Sequence, residues 1–131
     1  MAKRTEKKNL TDRTATVESF KQMMREFVAE REWNKYHTPR NLAASTAVEA
    51  AELLELFQWL TPEEVAHKSK HDPAFRKAVG EEMADVFMYL MSLANALDMD
   101  MATTVSAKMA KNRLKYPPEK FRGHYERPLN T

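Results

Sequence analysis

The chain has 131 residues, 43% of them hydrophobic and 31% charged, with a formal net charge of only +2; this describes a single globular domain with a core of its own. The absence of cysteine excludes disulfides, thiolate metal sites and thiol nucleophiles, and it suits a cytoplasmic protein. Two glycines and nine methionines favour helices over a turn-rich β fold, and no apolar run resembles a signal peptide or is long enough to span a bilayer.

The charge is unevenly spread. Residues 1–13 carry five Lys/Arg against two acids and read as a flexible basic tail. Residues 105–127 carry seven against two, so the body between them is acidic. An acidic body followed by a basic segment suits a metal site that also holds an anionic substrate. No nucleic-acid-binding motif accompanies the basic segments, so a polymer partner is not expected.

In chain order, Val17, Phe20, Met23, Met24, Phe27 and Val28 recur at helical spacing and predict a first helix from about Thr16 to Glu32, capped by Thr14 or Thr16. Asn34 to Asn41 reads as a loop, because Pro39 disfavours helical geometry before it. Asn41 is the expected cap of a second helix running to about Leu60. Thr61-Pro62-Glu63-Glu64 starts a short helix, and the polar stretch His67 to Asp72 reads as loop. Asp72-Pro73 opens a long helix to about Leu97, apolar on nearly all sides from Met83 onward. Asp98 or Asp100 precedes a last helix from Met101 to Lys115, which Tyr116-Pro-Pro ends. The expected architecture is an all-α bundle of about four main helices over residues 14–117, with an extended tail over 118–131. So apolar a long helix needs more cover than three neighbours give, which predicts a core completed by dimerisation.

Four acids interrupt this apolar pattern. Glu49 and Glu52 share one face of the second helix, and Glu82 and Asp85 share one face of the long helix. On a helical wheel Glu52 lies about 60° to one side of Glu49 and Leu53 about 40° to the other, with Leu56 nearly on the axis. Val86, Tyr89 and Leu93 continue the stripe from Glu82 and Asp85 in the same way. Acids that continue an apolar stripe need a partner, since uncompensated buried carboxylates are costly. Neither stripe contains a base, which leaves a hard divalent cation such as Mg²⁺ as the expected partner.

Lys108, Lys111 and Lys115 form a basic stripe on the last helix, with Asn112 beside it, and Arg113 adds a further cation to the segment, which suits phosphate oxygens or simply water. Trp33, Tyr36, Trp59 and Tyr89 are flat side chains near the acids in sequence, suited to core packing or to stacking a nucleobase. His37, His67, His71 and His124 all fall in predicted loops, and none completes a Glu-x-x-His pair, which disfavours a di-iron bundle. P-loop, HExxH, GxSxG and Rossmann patterns do not occur.

Four strings carry a family resemblance: Glu30-Arg-Glu-Trp-Asn-Lys-Tyr-His-Thr-Pro-Arg-Asn-Leu, Val48-Glu-Ala-Ala-Glu-Leu-Leu-Glu-Leu-Phe-Gln-Trp, Glu81-Glu-Met-Ala-Asp-Val-Phe-Met-Tyr-Leu and Lys108-Met-Ala-Lys-Asn-Arg-Leu-Lys-Tyr-Pro. Together they resemble the all-α, MazG-like nucleoside triphosphate pyrophosphohydrolases, and within them the dCTP pyrophosphatase branch. The resemblance implies Mg²⁺-dependent cleavage between the α and β phosphates, with Mn²⁺ as a substitute ion. It implies Glu49, Glu52, Glu82 and Asp85 as metal ligands; direct attack of a metal-activated water on the α-phosphorus is the expected mechanism, with Glu49 or Glu52 also taking the proton. It implies Trp33, Trp59 and Tyr89 as base-pocket aromatics, and Lys108, Asn112 and Arg113 as the phosphate-facing segment. It also implies a homodimer or a tetramer of two dimers, with sites near subunit interfaces. Met24 stands where the dCTP-cleaving relatives carry a base-contacting histidine, so the cytosine preference is less strongly implied than the chemistry. The alternatives are a broad (d)NTP pyrophosphohydrolase and a non-catalytic nucleotide- or metal-binding helical module.

Overall fold

A computed structural model describes residues 10–126, and the basic stretch of residues 1–9 lies outside them. Among the described residues all regular structure is helical: α1 Val17–Glu30, a 3-10 turn Trp33–Lys35, α2 Pro39–Glu55, α3 Pro62–His71, α4 Pro73–Ala96, α5 Met101–Lys115 and α6 Pro118–Phe121. None of these helices is long and apolar enough to cross a membrane. The chain forms two compact units, one up to Met99 and one from Asp100 onward.

Each main helix begins where the local chemistry supplies an acceptor for its unpaired first N–H groups. Thr16 caps α1 in a reciprocal box with Ser19: the Ser19 N–H donates to Thr16 Oγ1 at 3.1 Å and the Thr16 N–H to Ser19 Oγ at 3.0 Å. Thr61 and Glu64 form the same box at α3, and Asp72 and Asp100 cap α4 and α5. α2 starts earlier than its sequence suggests. Thr38, not Asn41, is its cap, because Pro39 fits the first helical position, where an N–H would have no partner. The Asn41 side chain instead donates to the Tyr36 carbonyl at 3.0 Å.

Three further boundaries differ from the sequence reading. α2 stops at Glu55, and residues 56–60 turn through short i to i+3 bonds, Phe57 N–H to Leu54 O at 3.0 Å among them. This turn sets Phe57 edge-on to Phe75 of α4, with ring centroids 5.6 Å apart. The polar stretch from His67 is helical rather than loop, so His67 and His71 are helix residues whose rings lie 4.8 Å apart. Its Lys and His side chains suit the negative end of the α3 dipole, which polarity alone had disguised as a loop. Residues Pro118–Phe121 close into a short helix where extended chain was expected.

The core of the first unit sits where α1, α2 and α4 meet: Met24 and Val28, then Leu42 at 2% exposure, then Met91 and Ala94. α2 and α4 form the most extensive helix pair, with α1 covering α4 from another side. Asn95 clamps α1 to α4: its amide donates to the Lys21 carbonyl at 2.9 Å and its oxygen accepts from Arg25 Nη1 at 2.7 Å. α4 ends in a Schellman turn, with Asp98 at φ 50° and the Met99 N–H reaching Ala94 O at 2.9 Å. The Lys21 ammonium donates to the Met99 carbonyl at 2.8 Å and ties this turn to α1.

This small core leaves much apolar surface uncovered. Met83, Phe87 and Leu90 recur at helical spacing along α4 and are exposed, Met83 by 56%, while Val48 and Leu54 stand out from α2.

Candidate metal centre and adjoining cavity

The α2–α4 contact brings the two acid pairs together. Glu49, Glu82 and Asp85 each present a carboxylate oxygen, and these oxygens lie within 4.8 Å of one another. All three side chains are half-buried, whereas Glu52 is exposed beside them. Glu52 is close enough for its charge to act on the carboxyls of both Glu49 and Glu82. So the three deeper groups form the tight cluster, and Glu52 forms its solvent side.

Among the described residues no basic side chain neutralises this charge: none of the four carboxylates pairs with a Lys or Arg. Partial burial pushes the Glu49 carboxyl above the ordinary range, and the charges of Glu52, Asp85 and Glu82 push it further. Burial likewise raises Glu82, reinforced by Glu52, Asp85 and Glu81. Glu82 Oε2 is buried and has no hydrogen-bond partner. Hard oxygen donors, like charges at close range and a buried oxygen without a partner together fit a divalent cation. Acids that merely solvate a surface behave otherwise: Glu63 and Glu64 are exposed on α3, and Glu64 accepts the Thr61 N–H at 2.8 Å.

A cavity of about 320 Å³ opens beside Asp85. Its walls are the apolar faces of Met23, Met24, Phe27 and Met88, with Trp33 and Tyr89 as flat panels. The Phe27 and Trp33 rings meet edge to face at 5.9 Å, which fixes the Trp33 plane. The backbone reaches this arrangement through Glu32, which adopts a left-handed φ of 54° and turns the chain from α1 into the Trp33–Lys35 turn.

Two of the three sequence-predicted aromatics, Trp33 and Tyr89, therefore line one cavity next to the acid cluster. Trp59 does not join them. It sits in the turn after α2 with 85% of its surface exposed. Lys108, Asn112 and Arg113 lie on α5 in the second unit, with Lys108 and Arg113 exposed and Asn112 half-buried.

Sequence reasoning passed over His37. It is in a loop, as expected, but it also lines the cavity beside Asp85, and its ring lies nearly parallel to Trp33 at 20°. The readable signal was its place just after Trp33 and Tyr36 and just before Thr38-Pro39, where the chain is held at both ends.

The chain is similar to known proteins. The family model described as the MazG-like family matches residues 44–126. The chain is 40% identical to dCTP pyrophosphatase 1 of Bos taurus over 108 residues, covering 82% of this chain and 63% of the relative. It is 41% identical to dCTP pyrophosphatase 1 of Homo sapiens over 102 residues, covering 78% of this chain and 59% of that protein. The chain thus spans somewhat under two thirds of the length of these mammalian relatives. The crystal structure of a pyrophosphatase from Archaeoglobus fulgidus superposes with a TM-score of 0.70 at 42% identity, covering 76% of this chain and 91% of that one.

Proposed function

The chain belongs to the MazG-like family, and from that premise we propose that it is a Mg²⁺-dependent nucleoside triphosphate pyrophosphohydrolase that converts dCTP, or a base-modified dCTP, to dCMP and pyrophosphate. The observation that carries this reading is the convergence of Glu49, Glu82 and Asp85 next to a flat-walled cavity. The names of the mammalian and archaeal relatives support the same chemistry.

Glu49, Glu82 and Asp85 are the groups that would hold the ion, with Glu52 on its open side. A bound Mg²⁺ supplies charge neutralisation for the triphosphate and lowers the pKa of water. Glu52 would take the proton from the attacking water, being exposed on the open side of the cluster; Glu49 is the other candidate. The water oxygen bonds to the α-phosphorus, the bond from that phosphorus to the α–β bridging oxygen breaks, and pyrophosphate leaves. Trp33 and Tyr89 sandwich or flank the base within the cavity. Lys108, Asn112 and Arg113 are assigned to the outer phosphates on their charge, their hydrogen-bonding capacity and their place in the basic segment.

The exposed apolar stripe of Met83, Phe87 and Leu90 supports a homodimer, or a tetramer of two dimers, with α4 at the interface. The exposure of Trp59 supports a place for it at that interface, where a second copy would bring it to a base pocket. Removal of excess or modified deoxynucleotides in the cytoplasm is the role this activity would serve.

The test is a panel of ordinary and base-modified NTPs and dNTPs with Mg²⁺, following monophosphate and pyrophosphate together. Monophosphate and intact pyrophosphate in equal amounts, fastest from dCTP or a modified dCTP, is the expected result. Equal turnover of every base would replace the dCTP assignment with a broad (d)NTP activity. No turnover by folded protein with Mg²⁺ present would leave a nucleotide- or metal-binding module.

A further inference from the structure

The cavity beside Asp85 has a neighbour of about 240 Å³, lined in part by Arg25, Asn34, Ser92 and Asn95. Met24 and His37 line both, so these two side chains stand between the apolar space and the polar one. Arg25 and Asn95 are already used, bonded to each other and to Glu18 and the Lys21 carbonyl. Two buried polar atoms are not: His37 Nδ1 and Ser92 Oγ have no hydrogen-bond partner, and Ser92 is 5% exposed. Buried atoms of this kind are rare in native proteins unless water or a ligand satisfies them. Met24 can offer only apolar contact.

An apolar slot with flat walls and one polar ring at its inner boundary is shaped to hold a planar heterocycle and test its edge. We propose that His37 is the specificity-determining residue of this site, with Ser92 supporting it from the second cavity. The inference rests on the nucleotide reading above. With its proton on Nε2, the imidazole presents the Nδ1 lone pair, which accepts a hydrogen bond from the exocyclic amino group of cytosine. Thymine or uracil would place a carbonyl oxygen against that lone pair and lose the bond. The Ser92 hydroxyl both donates and accepts, and it answers a second polar atom on the base or on a substituent of it. Base discrimination thus sits in the loop before α2, at a position different from Met24.

The experiment compares dCTP and dTTP hydrolysis, and dCMP and dTMP binding by calorimetry, in the wild type, His37→Phe, His37→Asn and Ser92→Ala. Phenylalanine keeps a flat ring against Trp33 and removes Nδ1, while asparagine keeps a polar atom near the Nδ1 position. His37→Phe should lower kcat/KM for dCTP about tenfold to a hundredfold, mainly through KM, and leave dTTP within about threefold. His37→Asn should recover part of the preference, and Ser92→Ala should lose part of it. Equal losses for both nucleotides, an unchanged preference in folded His37→Phe, or a wild type that prefers dTTP or has no preference would overturn the assignment. If the wild type hydrolyses nothing, the hydrolase reading fails separately and the monophosphates decide. Tighter dCMP than dTMP binding that vanishes in His37→Phe then upholds His37, and no such difference overturns it.

Discussion

Glu49 on α2 and Glu82 on α4 hold carboxylate oxygens within 4.8 Å of each other, with Asp85 as the third corner, and among the described residues none of the three pairs with a basic side chain. Two like charges so close on different helices oppose the packing that joins those helices. A cation turns the same proximity into a link. Glu82→Gln is nearly isosteric and removes one charge, so the helices should stay packed while the site loses a ligand. The expected outcome is a loss of turnover on the order of a hundredfold or more, since even residues behind a metal ligand are worth about 10–100-fold. Far-UV circular dichroism should be unchanged. Loss of helicity in step with activity would instead make the cluster structural.

The raised carboxyls of Glu49 and Glu82 carry a pH signature. A folded acid whose pKa lies above its ordinary value of 4.5 holds its proton more tightly than the unfolded chain does. Stability of the metal-free protein should therefore fall as pH rises from that value through the raised ones. Mg²⁺ competes with those protons, so it should raise Tm at neutral pH and lose its effect in acid. Melting curves in EDTA and in excess Mg²⁺ should coincide at low pH and separate above it, and Glu82→Gln should narrow the gap. A Mg²⁺ effect of constant size from the acid range to neutrality would point to binding elsewhere.

Much of this site was legible because the acids contradict their surroundings. Glu49, Glu82 and Asp85 continue apolar stripes, and that conflict of polarity and position is visible in one dimension. Helix starts were legible for a similar reason, since Thr16, Thr61, Asp72 and Asp100 each supply a short-range acceptor. What one dimension hides is the meeting of distant segments. Neither the cavity between α1 and α4 nor the paired loss of partners at His37 and Ser92 has a local pattern. Length was misjudged where charge imitated a loop, at His67–His71, and where a turn was needed before the next Pro, after Glu55.

Asp72 shows the opposite titration. The Phe75 N–H donates to its Oδ1 at 3.0 Å and holds the carboxyl below its ordinary range, with Lys68 at 3.4 Å adding to this. Its contribution is fully present above the ordinary value of 3.8 and is lost as pH falls through the lower folded value. Asp72→Asn should keep the cap, because asparagine caps as well as aspartate, and should flatten the acid limb of the Tm profile. Asp72→Ala should lower Tm at neutral pH as well. An unchanged acid limb in Asp72→Asn would assign that limb to other groups.

The uncovered stripe on α4 makes a prediction about assembly. Met83 and Leu90 are exposed on one face, and arginine there would be solvated in a monomer but buried and unpaired in a dimer. Met83→Arg with Leu90→Arg should shift the mass by light scattering to that of a monomer while helicity persists. If the double variant keeps the mass of the wild-type assembly, α4 is not its interface.

Glu32 links the first helix to the cavity at a cost. It holds φ at 54° at the end of α1, where an L side chain is disfavoured by about 1–2 kcal/mol. Glycine at that position removes the clash and loses about 0.5–1 kcal/mol through the added freedom of the unfolded chain. The balance favours glycine by up to about 1.5 kcal/mol. Glu32→Gly should therefore raise Tm by a few degrees. The turn that places Trp33 and His37 should be kept, so kcat/KM should stay within about twofold of the wild type. A fall in Tm would mean that the Glu32 side chain contributes more than its backbone strain costs, and a selective loss of dCTP turnover would mean that the turn, rather than the side chains it carries, sets the cavity.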